Sequence, residues 1–372
     1  MADKNFNTFI DFGKSGIRAI SFKKGTEKVE NYIEQINRNI ESNNFSSEEE
    51  LIEDIIFNLE KKNGEYIDEI FLMVDDLNIL SISLTISKKY DEKILIDDFL
   101  KSLIEDAKFE ININYPTYEI IHTINRYFFL DKQKFSQIPK NLIYNNFAVE
   151  LNFIIFPKSL IENFTKIFAK QNVTIKKFIF SSYSKSLFYL NKIANQKKII
   201  FVDIGFEKIC TFLFENKKME QFKIIPIGGN HITKDISKIL NIDIFKADSV
   251  KLNFDNINNN KDLKEKQIEL VKKIIFSRIE ELLEISTLFF RGNNDLKNIK
   301  LVFFGNGSKI LDSKFKSNIA FNYDIDLLEE NYVDVCLSGL SLVNSENKTF
   351  LNKIDSKKKK KGFFENFFHL FG

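Results

Sequence analysis

The hydrophobic positions of this chain follow two rhythms. Short apolar runs at Ile70–Val74, Ile199–Val202, Ile209–Phe214, Lys223–Ile227 and Leu301–Phe304 read as buried strands. Between them, apolar residues recur every three or four positions. Glu48–Lys62 puts Leu51, Ile52, Ile55, Ile56 and Leu59 on one helical face, opened by a Ser47/Glu50 capping box and closed at Gly64. Lys158–Lys170 does the same with Leu160, Ile161, Phe164, Ile167 and Phe168, and Lys264–Phe290 with Ile268, Val271, Ile275, Ile279, Leu282 and Leu283. Further helices are expected at Ser184–Ala194 and Asn331–Val343. Asn253–Asp262, rich in asparagine, reads as a loop and Ser345–Ser356 as a polar linker.

From Ser81 to Phe156 the rhythm changes. Alternating Ile82, Leu84 and Ile86 predict a half-exposed strand, Asp97–Lys108 a helix, and Tyr118–Tyr127 and Phe147–Phe156 two more strands. Such a β-α-β-β block between two parts of a domain reads as an insertion.

One motif occurs twice. Phe9-Ile10-Asp11-Phe12-Gly13 is repeated by Phe201-Val202-Asp203-Ile204-Gly205, and the match continues in register, Ile17 with Ile209 and Phe22 with Phe214. Two copies of a strand–turn–strand unit predict two related half-domains facing one cleft, each giving it one aspartate and one turn. A carboxylate at a strand end, beside a turn whose amides point outward, suits a magnesium–nucleotide phosphate site. The candidates are Asp11, Gly13, Lys14 and Ser15 in the first half, and Asp203, Gly205, Gly228 and Gly229 in the second, with Asp11 and Asp203 holding Mg2+ through water. Gly305, Asn306, Gly307 and Ser308, delivered by the last buried strand, let the backbone lie against an adenine or ribose.

The duplicated hairpins resemble those of actin-like ATPases, and the details are similar to the FtsA family of bacterial division proteins. PIGGNHITKDIS at Pro226–Ser237 is close to that family's PxGGxxITxDIA, and ADSVK at Ala247–Lys251 to its AExxK. Phe303–Ser308 resembles its adenosine loop, and HTINRYFFLD at His122–Asp131 its HxIPxxYxID segment. The resemblance implies an α/β, actin-like (ribonuclease H-like) two-domain fold with duplicated sheet halves. Residues 1–80 and 158–200 would form subdomain 1A, 81–157 an inserted 1C, 201–227 and 299–345 subdomain 2A, and 228–298 subdomain 2B. It also implies ATP and Mg2+ in the cleft, adding Asp248 and Lys251 to the nucleotide set. The implied partners are copies of the chain met through 1C, other divisome proteins, and the FtsZ C-terminal tail on 2B. Arg278 sits in SRIEELL where the family reads PRxEEIL, and is the candidate contact for that tail.

Composition adds a compartment. Lys+Arg number 54 and Asp+Glu 52, so global charge gives no argument for nucleic acid. Cys210 and Cys336 lie in apolar segments as core filler. Met1–Asn7 has no apolar signal core and no apolar run reaches about 18 residues, so a cytoplasmic chain is expected. The last stretch then changes the picture. A linker at 346–361 ends in Lys357, Lys358, Lys359, Lys360 and Lys361, and 362–372 forms an amphipathic helix with Phe363, Phe364, Phe367, Phe368, Leu370 and Phe371 on one side. Each buried aromatic is worth up to about 1.5–3 kcal/mol, and each lysine about 1 kcal/mol near an anionic leaflet. This is an interfacial anchor, reversible singly and tight on a polymer. FtsA proteins end in this way, tethering FtsZ filaments to the cytoplasmic face of the inner membrane at the division site.

The second phosphate turn departs from the family. Where the family has DIGGGTTD, this chain has Asp203-Ile204-Gly205-Phe206-Glu207-Lys208-Ile209, with a carboxylate where phosphates would sit. Nucleotide binding is therefore expected to be rearranged and hydrolysis slow or absent. The competing readings are a PilM-like pilus platform protein and an actin-fold ATPase or kinase acting on a small molecule.

Overall fold

The duplicated hairpins become the centres of two sheets with the same plan. In the computed structural model, which describes residues 5–36, 45–89, 96–139, 145–193, 196–259, 263–288, 299–311 and 324–358, strand β1 (Phe6–Phe12) pairs antiparallel with β2 (Gly16–Lys23), and β2 with β3 (Val29–Ile36). β4 (Glu69–Val74) runs parallel to β1, and β9 (Thr174–Phe180) parallel to β4, giving the order β3-β2-β1-β4-β9. The second sheet repeats it as β12-β11-β10-β13-β14, with β10 (Lys198–Ile204), β11 (Ile209–Glu215), β12 (Lys218–Ile225), β13 (Lys300–Phe304) and β14 (Asp324–Leu327). Register is preserved between the copies: Asp11 faces Arg18 across the first hairpin, and Asp203 faces Cys210 across the second.

The insertion has its own sheet, β5-β8-β6-β7, made of β5 (Leu80–Lys89), β6 (Tyr118–Leu130), β7 (Gln133–Phe135) and β8 (Asn146–Pro157). Its inner face packs on α2 (Ile96–Asn114) through Phe99, Leu103, Phe147, Leu151 and Phe153. Here period-two strands meet a period-3.6 helix, which is why this block buries a core of its own.

Helices α1 (Phe45–Asn63) and α3 (Lys158–Lys170) pack on the first sheet. α5 (Gly229–Leu240), α6 (Ile244–Leu252) and α7 (Glu265–Leu288) cover the outer face of the second through Ile232, Ile236, Val271, Ile275 and Ile279. The remaining two, α4 (Ser181–Lys192) and α8 (Tyr332–Lys358), belong to a core continuous with both sheets. Phe180 lies 5.7 Å from Phe212 and Tyr189 5.2 Å from Phe304, ring to ring. The abundant phenylalanines thus supply the interior wherever two sheets must be bridged.

Three expectations are revised. α1 starts at Phe45, so Ser47 lies inside the helix and not at its cap. The asparagine-rich segment forms a 3-10 turn at Phe254–Asn259. α8 runs on to Lys358, so most of the expected polar linker is helical; no glycine or proline interrupts 340–358, and polarity alone does not end a helix. Lys357 and Lys358 are its last residues. Lys359, Lys360, Lys361 and the phenylalanine-rich tail lie outside the described residues, as does the start of the chain through Lys4. Among the described residues no helix is long and apolar enough to cross a membrane.

Candidate nucleotide cleft

The two repeated aspartates lie near the ends of the equivalent central strands of the two sheets, and both are buried, Asp11 6% and Asp203 4% exposed. A buried carboxylate needs partners, and here the chain provides them. Asp11 accepts from Ser181 Oγ (2.7 Å) and is paired with Arg18 (3.1 Å). Asp203 accepts from Ser182 Oγ (2.7 Å) and is paired with Lys185 Nζ (2.7 Å). Ser182 also lies within hydrogen-bond distance of both oxygens of Asp75 (2.9 and 2.8 Å), and Lys185 reaches Glu330 at 3.1 Å. One helix, α4, therefore places three donors, Ser181 and Ser182 in its first turn and Lys185 one turn on, against carboxylates from both halves.

Charge is nearly balanced inside this cluster. Burial works against the Lys185 ammonium, but Asp203 and Glu330 outweigh it and hold it protonated well above the ordinary lysine range. Burial raises Asp75, against the pull of Lys208 at 3.8 Å, and pushes Glu330 up to about 7 despite Lys185. Burial likewise raises the Cys210 thiol opposite Asp203, so the group facing that aspartate across the hairpin is neutral.

The turns pack against one another. Gly205 N–H donates to Lys208 O (2.9 Å), closing the second turn, and the first amides of α5 donate back to it: Gly229 N–H to Gly205 O (3.0 Å) and Asn230 N–H to Phe206 O (2.8 Å). Gly228 N–H is taken by His231 Nδ1 (3.1 Å). The helix start that would hold an anion is thus satisfied by the Phe206-containing turn. The glycines are needed for this contact. A Cβ on Gly228 would sit 2.6 Å from both Phe206 O and Lys208 N, and one on Gly307 2.5 Å from the Ile204 side chain. Gly305, at φ +88°, has room for no Cβ because Asp203 Oδ1 would lie 2.3 Å away.

The other expected residues divide into two groups. Asp248, Lys251 and Thr233 form a compact set beside Gly229: Lys251 Nζ donates to Thr233 Oγ1 and Asp248 Oδ1, both at 2.6 Å. Ser308 closes its turn on Gly305 O (2.7 Å), leaving Asn306 exposed. Gly13 and Gly16 close the first hairpin with reciprocal bonds of 3.1 and 3.3 Å; Lys14 is exposed at its tip and Ser15 half-buried. Arg278 stands apart on α7, ion-paired with Asp235 of α5 and with Glu281.

Sequence reasoning placed Lys208 at the second turn as a charge that compensates Glu207, but missed Arg18, Asp75, Ser181, Ser182, Lys185 and Glu330. A signal existed for Arg18, a lone charge in the apolar strand GIRAISF opposite Asp11. A signal for Lys185 also existed, in a serine-rich stretch (SSYSKS) feeding an apolar helix.

A magnesium-bound triphosphate does not fit this arrangement. Mg2+ demands oxygen ligands at about 2.0–2.1 Å in octahedral geometry. Each aspartate here already meets a hydroxyl and a cation.

Comparison with known proteins follows the same residues. The family profile described as Cell division protein FtsA matches residues 200–306, which run from β10 to just past β13. The resemblance is to FtsA. The chain is 27% identical over 138 residues to the Cell division protein FtsA of Helicobacter pylori (strain ATCC 700392 / 26695), covering 37% of this chain and 28% of that one. It thus spans well under a third of the length of that relative. It is 24% identical over 340 residues to the FtsA of Buchnera aphidicola subsp. Acyrthosiphon pisum, covering 79% of this chain and 80% of the relative. Among solved structures, the PilM–PilN type IV pilus biogenesis complex superposes with TM-score 0.62 at 13% identity, covering 88% of this chain and 89% of that chain. The ethanolamine utilization protein EutJ from Carboxydothermus hydrogenoformans superposes with TM-score 0.51 at 9% identity, covering 90% and 89%. These establish an actin-like ATPase fold in an FtsA-like chain.

Proposed function

We propose that this FtsA-like protein is a self-assembling tether at the division site, joining FtsZ filaments to the cytoplasmic face of the inner membrane. The observation that carries the reading is the FtsA match over 200–306, falling on the half that holds Asp203, the glycine pair and the Asp248–Lys251 set. The five lysines and apolar tail at the end of the sequence supply the membrane contact. We divide the chain as the family resemblance suggests: 1A (1–80, 158–200), 1C (81–157), 2A (201–227, 299–345) and 2B (228–298). The four-stranded sheet of the insertion would make contacts to neighbouring copies and divisome proteins. Arg278 on 2B would meet the acidic FtsZ tail.

ATP in the cleft acts as an assembly ligand and not as fuel. Its adenosine end would lie by Gly307, Thr233, Asp248 and Lys251, and its phosphates would face Lys208, whose Nζ makes no hydrogen bond in this structure. The residues hold the nucleotide in place. The test is sedimentation with anionic vesicles, comparing the whole chain with a version ending at Asp355. Pelleting of the whole chain alone, weakened by salt, is expected. Equal behaviour of the two would replace the tether with a soluble or pilus-platform role, the function of the PilM likeness. ATP turnover on vesicles with FtsZ is expected to stay at background; stimulated turnover would refute the ligand-only role.

A further inference from the structure

We infer that Lys185 is a built-in replacement for the divalent cation, so that this cleft works without metal. The inference rests on the cleft being the nucleotide site and says how that site is made electrically complete. The argument begins with the duplication. In the first half the residue opposite Asp11 is Arg18, so that aspartate has its counter-charge across its own hairpin. The duplicated position in the second half is Cys210, which is neutral and buried. Asp203 therefore needs a cation from elsewhere, and α4 brings one. Lys185 reaches it at 2.7 Å with only 8% of its side chain exposed.

A lysine so placed neutralises Asp203 and Glu330 from the position a cation bound between them would take. Buried ammonium groups are costly unless paired on several sides. Lys185 is shared by Asp203 and Glu330, while the serines one turn earlier hold Asp11, Asp75 and Asp203. Four carboxylates (Asp11, Asp75, Asp203, Glu330) face three cations (Arg18, Lys185, Lys208), which leaves a single negative charge. A proton on Glu330 or Asp75 completes the balance, since burial raises both. A divalent ion added to this set would be repelled by an ammonium already at hydrogen-bond distance. With the ammonium removed, the same acids become an uncompensated pocket that suits a hard cation.

The experiment uses the full chain, its Lys185→Met variant and the conservative Lys185→Arg. Mn2+ stands in for Mg2+ because it can be counted by electron paramagnetic resonance, and ATP affinity is measured in Mg2+ and in EDTA. The wild type and Lys185→Arg are expected to bind no Mn2+ in the cleft and to bind ATP equally in both buffers. Lys185→Met is expected to gain one Mn2+ and a Mg2+-dependent rise in melting temperature. Tight Mn2+ binding by the wild type that Asp203→Asn abolishes would overturn the inference. So would ATP binding tenfold or more tighter in Mg2+ than in EDTA, a difference of about 1.4 kcal/mol. Should Lys185→Met not fold, the wild-type and Lys185→Arg measurements still decide. If ATP binds in neither buffer, the nucleotide role falls while the Mn2+ count continues to judge Lys185.

Discussion

Replacing Arg126 by Met should loosen the joint between the inserted sheet and the second half of the molecule. Arg126 on β6 is paired with Glu150 of β8 in its own sheet and with Glu220 of β12 in the other domain. Tyr127 OH donates to Glu220 Oε1 at 2.6 Å, and Lys218 Nζ donates to Ser136 O at 2.8 Å, so the contact has several strands of support. Exposure of the three charged side chains is 12%, 19% and 17%. Removing one member of a fully buried pair costs about 3–5 kcal/mol, whereas an exposed pair is worth about 0–1 kcal/mol. An intermediate of about 2 kcal/mol follows, or ~30-fold faster local opening. Hydrogen exchange followed by mass spectrometry reads it directly: amides of β12 and of the β6 end near Leu130 should exchange faster, while β1 and β4 stay unchanged. A cycle with Glu220→Gln should give a coupling of about 1–2 kcal/mol. Exchange within about twofold of wild type, with additive single effects, would show that the ion pair is incidental and that apolar packing alone sets the joint.

Three further outcomes follow from the geometry. Phe180 N–H donates to His122 Nε2 (3.0 Å), which fixes the neutral tautomer, and burial lowers this imidazole below its ordinary 6.5 even though Glu346 pulls the other way. Because the unfolded chain then binds the extra proton, the contribution is complete above pH 6.5 and is lost as pH falls towards the lowered value; a His122 resonance titrating at or above 6.5 would contradict this. Gly305→Ala should cost about 2 kcal/mol or more, from positive φ and the collision with Asp203, read as a lower urea midpoint; an unchanged midpoint would show that the turn can move aside. Arg278→Ala should weaken binding of an FtsZ tail peptide about tenfold while stability changes by no more than about 1 kcal/mol; unchanged affinity would remove Arg278 from the docking surface.

The features legible in the sequence were those set by neighbours along the chain. The repeated Phe-x-Asp-x-Gly hairpin, the helix at Lys158–Lys170 and the strands after Tyr118 and before Pro157 follow from local periodicity. The departure of the Phe206–Lys208 turn from the family pattern was also legible, though not that Gly205 O and Phe206 O would accept from the first amides of α5. What escaped was the cluster around Lys185. Ser181 and Ser182 look like loop residues until Asp11, 170 residues away from Ser181 along the chain, and Asp203 converge on them. Asp75 and Glu330 likewise gain meaning only from the cleft they share. The end of α8 was misjudged for a different reason: a run of polar residues was read as a stop, although no residue there breaks a helix.

The placement of α4 has a mechanical consequence. Its first turn is bonded to Asp11 of one sheet and to Asp203 of the other, so any scissoring of the two sheets must tear several buried polar contacts at once. A subunit built in this way is a stiff brick and not a jaw. In the self-assembling role proposed above, a filament of such bricks would set its curvature by the angle between neighbouring subunits and not by opening within each one.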